Sequence, residues 1–202
     1  MIAYALSKPT LLLVIGSVGS GKGTQVELLN QTLRLPVVTM GEVFRHEMEQ
    51  PTDRGRAVRA IMVRGDLVPA DLWEPVLRDH LKNLDLTNGA FLDGVIRSPE
   101  QLAAFDRIAS ELGLPPLAAV NITLPEAEAL KRLKARGRHD DTEDATRSRL
   151  TWSREQTEPV VEQLRTRDGV VDVNGNQPIE VVHDELVTKL LEAGLIRAQH
   201  GA

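Results

Sequence analysis

The sequence predicts an α/β fold in which a five-stranded parallel sheet is covered by helices on both faces. Two patterns lead there. Short apolar runs alternate with amphipathic runs of helical period, which is the signature of repeated β-then-α units. The first apolar run, Leu11–Ile15, leads into a glycine-rich loop that opens the next helical run. No internal repeat, low-complexity tract or flexible linker divides the 202 residues, so the chain reads as one domain, 1–202, long enough for a substantial core.

The strands expected in order are Leu11–Ile15, 36–39, 90–92, 117–122 and 170–173. The helices expected between and after them are Lys22–Leu33, 41–49, 54–63, Ala70–Leu81, Pro99–Leu112, 125–136, 142–164 and Ile179–Glu192. Leu86 to Gly89 and Pro115-Pro116 read as loops between elements. Two segments interrupt the alternation. Residues 41–82 are all helical between the second and third strands, and 137–141 form a polar turn between two helices. In such sheets ligands bind at loops on the carboxyl ends of the strands. The motifs discussed below follow the first, second and third strands.

The loop is Gly16-Ser17-Val18-Gly19-Ser20-Gly21-Lys22-Gly23-Thr24. A strand, a glycine loop and a helix start, in that order, give a glycine pattern the context of a phosphate site. Backbone N–H groups converge where no side chain blocks them, and the helix N-terminus adds partial positive charge. Lys22 is placed to neutralise the terminal phosphate oxygens. The competing reading, a turn that happens to be rich in glycine, needs five ordered features to coincide. The general P-loop pattern has Ser or Thr directly after the lysine. Here Gly23 holds that place and Thr24 comes one step later.

Composition narrows the partners. A formal net charge of −5 argues against general nucleic-acid affinity, which needs a basic face. The Lys131 to Arg154 stretch is the one basic candidate. Asp140, Asp141, Glu143 and Asp144 interrupt it, and Trp152 is its one aromatic, a composition suited to discrete anion contacts. Cysteine is absent, which excludes disulfides and cysteine-based zinc sites. The apolar run near the N-terminus is too short for a signal-peptide core, and no stretch approaches membrane-spanning length. The expectation is a soluble, cytoplasmic protein with no membrane partner.

Three further segments pair a glycine with charge near an element end: Thr39-Met40-Gly41-Glu42-Val43-Phe44-Arg45, Gly65-Asp66-Leu67-Val68-Pro69 and Asp93-Gly94-Val95-Ile96-Arg97. Taken singly, Arg45 and Arg97 are as well explained by solubility. The group Arg132, Arg136, Arg138 and Arg149 is as well explained by a solvated helix pair with i,i+4 ion pairs. His139 beside Asp140 and Asp141 has no second histidine at ligand spacing and reads as a loop residue.

Order and spacing change that balance. The Gly-Lys-Gly-Thr-Gln ending, Gly21 to Gln25, resembles the adenylate kinases and related nucleoside monophosphate kinases, and the resemblance runs from Gly16 to about Glu192. It implies that Gly19, Ser20, Gly21, Lys22, Gly23, Thr24, Arg132, Arg136 and Gly175 bind ATP. It implies that Met40, Arg45, Leu67, Val68, Gly94, Arg97, Gln101, Arg138 and Arg149 bind the monophosphate, with Gln101 reading the adenine edge. Lys22, Arg97, Arg132, Arg138 and Arg149 would be the catalytic cations, and Asp93 would orient magnesium-bound water. Mg²⁺ with ATP is the implied cofactor, held largely through phosphate oxygens and water, which makes Gly23 tolerable. A monomer is the family's habit. Residues 39–68 would form the monophosphate-binding insert and 137–141 a vestigial lid, with Gly137 alone between Arg136 and Arg138.

Several positions depart from the family pattern. Met40 replaces Thr, Glu42 replaces Asp, and Val95-Ile96 replaces Phe-Pro. The expected activity is reversible transfer of the ATP γ-phosphoryl group to a nucleoside monophosphate, AMP first. Three alternatives stand beside it: UMP, CMP or dAMP as acceptor, a kinase for a small alcohol, or a nucleotide-binding sensor without catalysis. Physically, gathering several phosphates in one site demands positioned cations, and the planar, permanently charged arginine fork suits that task.

Overall fold

The computed structural model describes residues 3–136, 142–167 and 169–199, with Arg136 described by its backbone alone. The expected lid, 137–141, with Arg138, His139, Asp140 and Asp141, lies outside the described residues. The chain opens with β1 (Ala3–Leu6), β2 (Leu11–Ile15), α1 (Lys22–Leu33) and β3 (Val37–Thr39). Three helices follow, α2 (Met40–Glu49), α3 (Asp53–Arg64) and α4 (Ala70–Leu81), then β4 (Ala90–Asp93), α5 (Pro99–Leu112), β5 (Leu117–Thr123) and α6 (Glu126–Arg136). The last part holds α7 (Glu143–Trp152), a π-helical turn (Ser153–Thr157), α8 (Glu158–Arg167), β6 (Val170–Asn174), α9 (Ile179–Glu192) and β7 (Ile196–Gln199).

The main sheet has five strands in the order β3-β4-β2-β5-β6, and every pair is parallel. Because successive strand residues point to opposite faces, the wholly buried β2 feeds two cores. Leu11, Leu13 and Ile15 pack with residues of α2, α3, α4, α5 and α8. Leu12 and Val14 pack with Val26, Leu29, Val182, Leu186 and Leu190 of α1 and α9. The register sets Val14 beside Asp93 and Val120, and Asp93 beside Thr39, so the carboxyl ends of β2, β3 and β4 are level.

Helix ends explain how the site residues are presented. α1 starts after Gly21 at φ 94°, in the left-handed region, with no side-chain cap, so its first N–H groups face the loop. Thr52 caps α3 by accepting from the Gly55 N–H at 2.9 Å, and Gly65 at φ 73° closes that helix. Ser98 caps α5 by accepting from the Gln101 N–H, with Pro99 in the first turn, which fixes Gln101 at the mouth of β4.

The structure corrects the sequence reading in several places. The strand expected at 36–39 begins at Val37, helix 41–49 begins at Met40, and 54–63 gains a residue at each end. The single helix expected over 142–164 is interrupted by the π turn, whose extra residue turns the faces of α7 and α8 relative to each other. β1 and β7 were not expected. They pair antiparallel as a separate two-stranded sheet, and Ile196 with Tyr4 and Leu6 joins the α1/α9 core. Their short sequences form strands because the two ends of the fold meet, a contact that local pattern does not carry. Among the described residues, no helix is long and apolar enough to cross a membrane.

Candidate active site

Two cavities open at the carboxyl edge of the sheet. The larger, about 1080 Å³, is lined by the loop residues Gly19 to Thr24 and by Arg45, Asp93, Arg97, Arg132 and Gly175. Lys22 is 7% exposed, and its ammonium folds back over its own loop. It donates to the carbonyls of Gly16 and Ser17 at 3.0 and 2.7 Å, with Ser20 Oγ at 3.4 Å. These bonds hold the charge against the loop backbone. Thr24 is exposed, while Ser20 is buried under the loop.

The far wall of this cavity is bound to the loop. Arg132 of α6 donates from Nη2 to the carbonyl of Gly175 at 3.0 Å. A Cβ at Gly175 would come within 2.9 Å of the Ser20 carbonyl oxygen and 2.8 Å of that of Thr123, so the chain after β6 passes directly beneath the loop. Gln25, 2% exposed, ties α1 to α9 through Ile179 O at 3.0 Å and His183 Nδ1 at 3.2 Å. Burial pushes His183 below its ordinary pKa, against a smaller opposing pull from Asp184.

The smaller cavity, about 160 Å³, is lined by Met40, Arg45, Leu67, Val68, Gly94, Arg97, Gln101 and Arg149, with Phe44, Met62, Trp73 and Trp152. Gln101 is 1% exposed and doubly engaged: Oε1 accepts from the Arg97 N–H at 2.8 Å, and Nε2 donates to the Val68 carbonyl at 2.8 Å. It therefore joins the β4 loop to the segment after α3. A carboxamide has two N–H donors and two lone pairs, so each end keeps one free direction. Trp73 is fully buried and donates to the Val95 carbonyl at 2.8 Å.

Arg97, Arg45, Gly41 and Val18 line both cavities. The Arg97 guanidinium lies against Gly94, where a Cβ would come within 2.1 Å of Nη2, and Nε donates to the Gly94 carbonyl at 3.1 Å. Its Nη1 is buried with no hydrogen-bond partner among the described residues. Burial depresses the Arg97 pKa, Asp93 partly offsets this, and Arg149 adds to the depression by repulsion. Two arginines facing one cavity are suited to an anion, since the guanidinium does not give up its proton.

The structure thus brings together Gly19 to Thr24, Asp93, Arg132 and Gly175 on one side. It gathers Met40, Leu67, Val68, Gly94, Gln101 and Arg149 on the other. Arg45 and Arg97 stand between. Of Arg136 only the backbone is described, at the end of α6, and Arg138 lies outside the described residues. Among the described residues, no cluster of three or more His, Asp or Glu is arranged to hold a metal ion. Sequence reading missed the lining role of Val18, Phe44, Met62, Trp73 and Trp152. For Trp152 a signal existed: it stands three residues after Arg149, hence on the same helix face. A further hollow of about 750 Å³ lies at the opposite end of α1, between Tyr4, Lys8 and Arg34, away from the loop.

Sheet order, glycine loop and paired cavities at the carboxyl edge define an α/β P-loop protein. Comparison with known sequences agrees. The family model described as Adenylate kinase matches residues 14–169. The adenylate kinase of Nocardia farcinica is 35% identical over 180 residues, covering 89% of this chain and 98% of that protein. That of Mycobacterium tuberculosis is 36% identical over 182 residues, covering 90% and 97%. That of Corynebacterium urealyticum is 34% identical over 165 residues, covering 82% and 91%. The chain belongs to the adenylate kinase family.

Proposed function

We propose that this chain reversibly transfers the γ-phosphoryl group of ATP to AMP, giving two ADP. The observation that carries the reading is the meeting of the two cavities at Arg97 and Arg45, with a phosphate loop on one side and Gln101 and Val68 on the other. The larger cavity takes ATP, its phosphates on the loop amides and Lys22, with Arg132 and Gly175 on the far wall. The smaller cavity takes AMP. Its base lies among Met40, Leu67, Val68 and Gln101, and its phosphate meets Arg45, Arg97 and Arg149. Residues 39–68 act as the monophosphate-binding insert and 137–141 as the vestigial lid, with Arg136 assigned to ATP and Arg138 to the monophosphate.

In this arrangement an oxygen of the AMP phosphate attacks the γ-phosphorus as the bond to the β–γ bridging oxygen breaks. No side-chain nucleophile is needed, and a phosphate mostly ionised at neutral pH needs no general base. Lys22, Arg97, Arg132, Arg138 and Arg149 balance the charge that moves. The residues fit a hydrated magnesium ion. Asp93 Oδ2 lies 3.6 Å from where a Cβ would stand on Gly23, beside the first turn of α1, and one carboxylate with phosphate oxygens and water is a usual Mg²⁺ donor set. When bound, the ion would screen the phosphates, with Asp93 orienting its water. Both cavities are formed within one chain, which supports a working monomer, and the ligands and cysteine-free sequence suit the cytoplasm.

A coupled assay with ATP and a panel of AMP, dAMP, CMP and UMP tests the reading. AMP is expected to give the highest kcat/KM. A preference for a pyrimidine would overturn the acceptor, and no transfer to any of them would favour a sensor.

A further inference from the structure

The segment that precedes the acceptor wall is fastened to α7 by three contacts. Trp152 donates its indole N–H to the Gly65 carbonyl at 2.9 Å. Ser148 Oγ donates to Asp66 Oδ1 at 3.0 Å. Gly65 is so close to α7 that a Cβ there would come within 2.5 Å of the Ala145 carbonyl oxygen. Gly65 and Asp66 run directly into Leu67 and Val68, which line the smaller cavity.

The same indole has a second contact. Its ring lies over the Arg97 guanidinium, 5.3 Å from Cζ to the ring centroid, within cation–π range. Arg97 is thereby held between the backbone of Gly94 and a flat aromatic face. One half-buried side chain touches both the insert and the junction arginine, and it stands on the helix that also carries Arg149. An indole serving only to fill space would need neither the bond to the insert nor the stack.

We infer that Trp152 is a positioning residue that latches the acceptor wall to α7 and holds Arg97 in plane, so that acceptor affinity and the aim of Arg97 are set together. The inference rests on the reading of the smaller cavity as the AMP site. It separates two properties of one side chain. The N–H bond governs where Leu67 and Val68 stand, and so acts on AMP binding. The aromatic face governs the Arg97 plane, and so acts on turnover.

The test is steady-state kinetics for both substrates, with calorimetric AMP binding, on wild type, Trp152→Phe, Trp152→Leu and Ser148→Ala. Trp152→Phe keeps a ring and loses the N–H. It should raise KM for AMP about fivefold, the scale of one hydrogen bond, with kcat within about twofold. Trp152→Leu should add a fall in kcat of about tenfold from the lost stack. KM for ATP should stay within about twofold in both. Ser148→Ala should weaken AMP binding without lowering kcat, and it carries the test together with Trp152→Phe if the Leu variant fails to fold. Equal losses for AMP and ATP, or a Phe variant with kcat as low as the Leu variant, would overturn the latch. A wild type that binds AMP without phosphoryl transfer would sink the proposed function alone, with the AMP affinities of the variants still deciding the latch. A wild type that does not bind AMP would end both.

Discussion

Lys22 and Gln101 show how far a residue's identity suggests its work. Lys22 was legible as a phosphate-contact candidate because a lysine at that spacing in a glycine loop suits that chemistry. Its bonds to the Gly16 and Ser17 carbonyls show it held over the loop. Lys22→Met should lower the ATP–AMP rate by about 10²–10³, the scale of losing one preorganised cation or donor, with the fold retained. Normal turnover in that variant would refute the loop's role. Gln101 was legible as a base-reading candidate, but its clamp between the Arg97 N–H and the Val68 carbonyl was not. Gln101→Leu should therefore lose AMP affinity and also stability, by about 1–3 kcal/mol for each polar group left buried without a partner. A loss of AMP affinity with unchanged thermal stability would mean that the clamp contributes nothing.

Elements were predicted where pattern and length agree, and were missed where a distant contact makes them. The alternation located β2 to β6 and most helix ends to within a residue or two. The π turn could not be read, because one extra residue leaves the apolar period of α7 and α8 locally intact. It presents the Thr157 hydroxyl to the Arg97 carbonyl at 3.1 Å. Gly65 is the corresponding case at a helix end. Its φ of 73° marks a C-cap that sequence can suggest, whereas its approach to Ala145 belongs to packing. Gly65→Ala forces both a left-handed alanine and a collision with backbone. It should cost about 1–3 kcal/mol by thermal or denaturant unfolding. KM for AMP should rise with it, since the acceptor wall follows Gly65. An unchanged melting curve would show that α7 yields freely.

Across the whole molecule, charge pairs join the helices that follow β3 to one another and to α5. Arg54 binds Glu47 and Asp79, uniting α2, α3 and α4, while Glu74 binds Arg78 of its own helix and Arg107 of α5. These pairs imply a defined acid response. Hydrogen bonds from Arg64, Arg78, Arg54, Arg165 and Lys189 hold Asp66, Glu74, Asp79, Asp172 and Glu185 below the usual carboxylate range. Burial lowers His80 and His183 from 6.5. In every case the folded pKa is below the unfolded one, so the unfolded chain binds more protons and acid favours it. Stability is fully present above 6.5, begins to fall below it as the unfolded histidines charge, and falls further through and below the carboxylate range. Tm measured from about pH 8 down to pH 4 should show that two-stage decline. A Tm that rises between about pH 7 and pH 5 would contradict it.

By itself the sequence determined the α/β class, the phosphate loop and the parallel sheet, because strand period and glycine spacing are local properties. Only the tertiary structure decided which residues share a wall. It brought β1 to β7, set Gly175 under Ser20, turned Arg97 between Gly94 and Trp152, and locked Gln101 to Val68. Each of these joins positions far apart in the chain or angles a side chain within a packed interior. Such contacts are fixed by the mutual fit of folded surfaces, which no local pattern records.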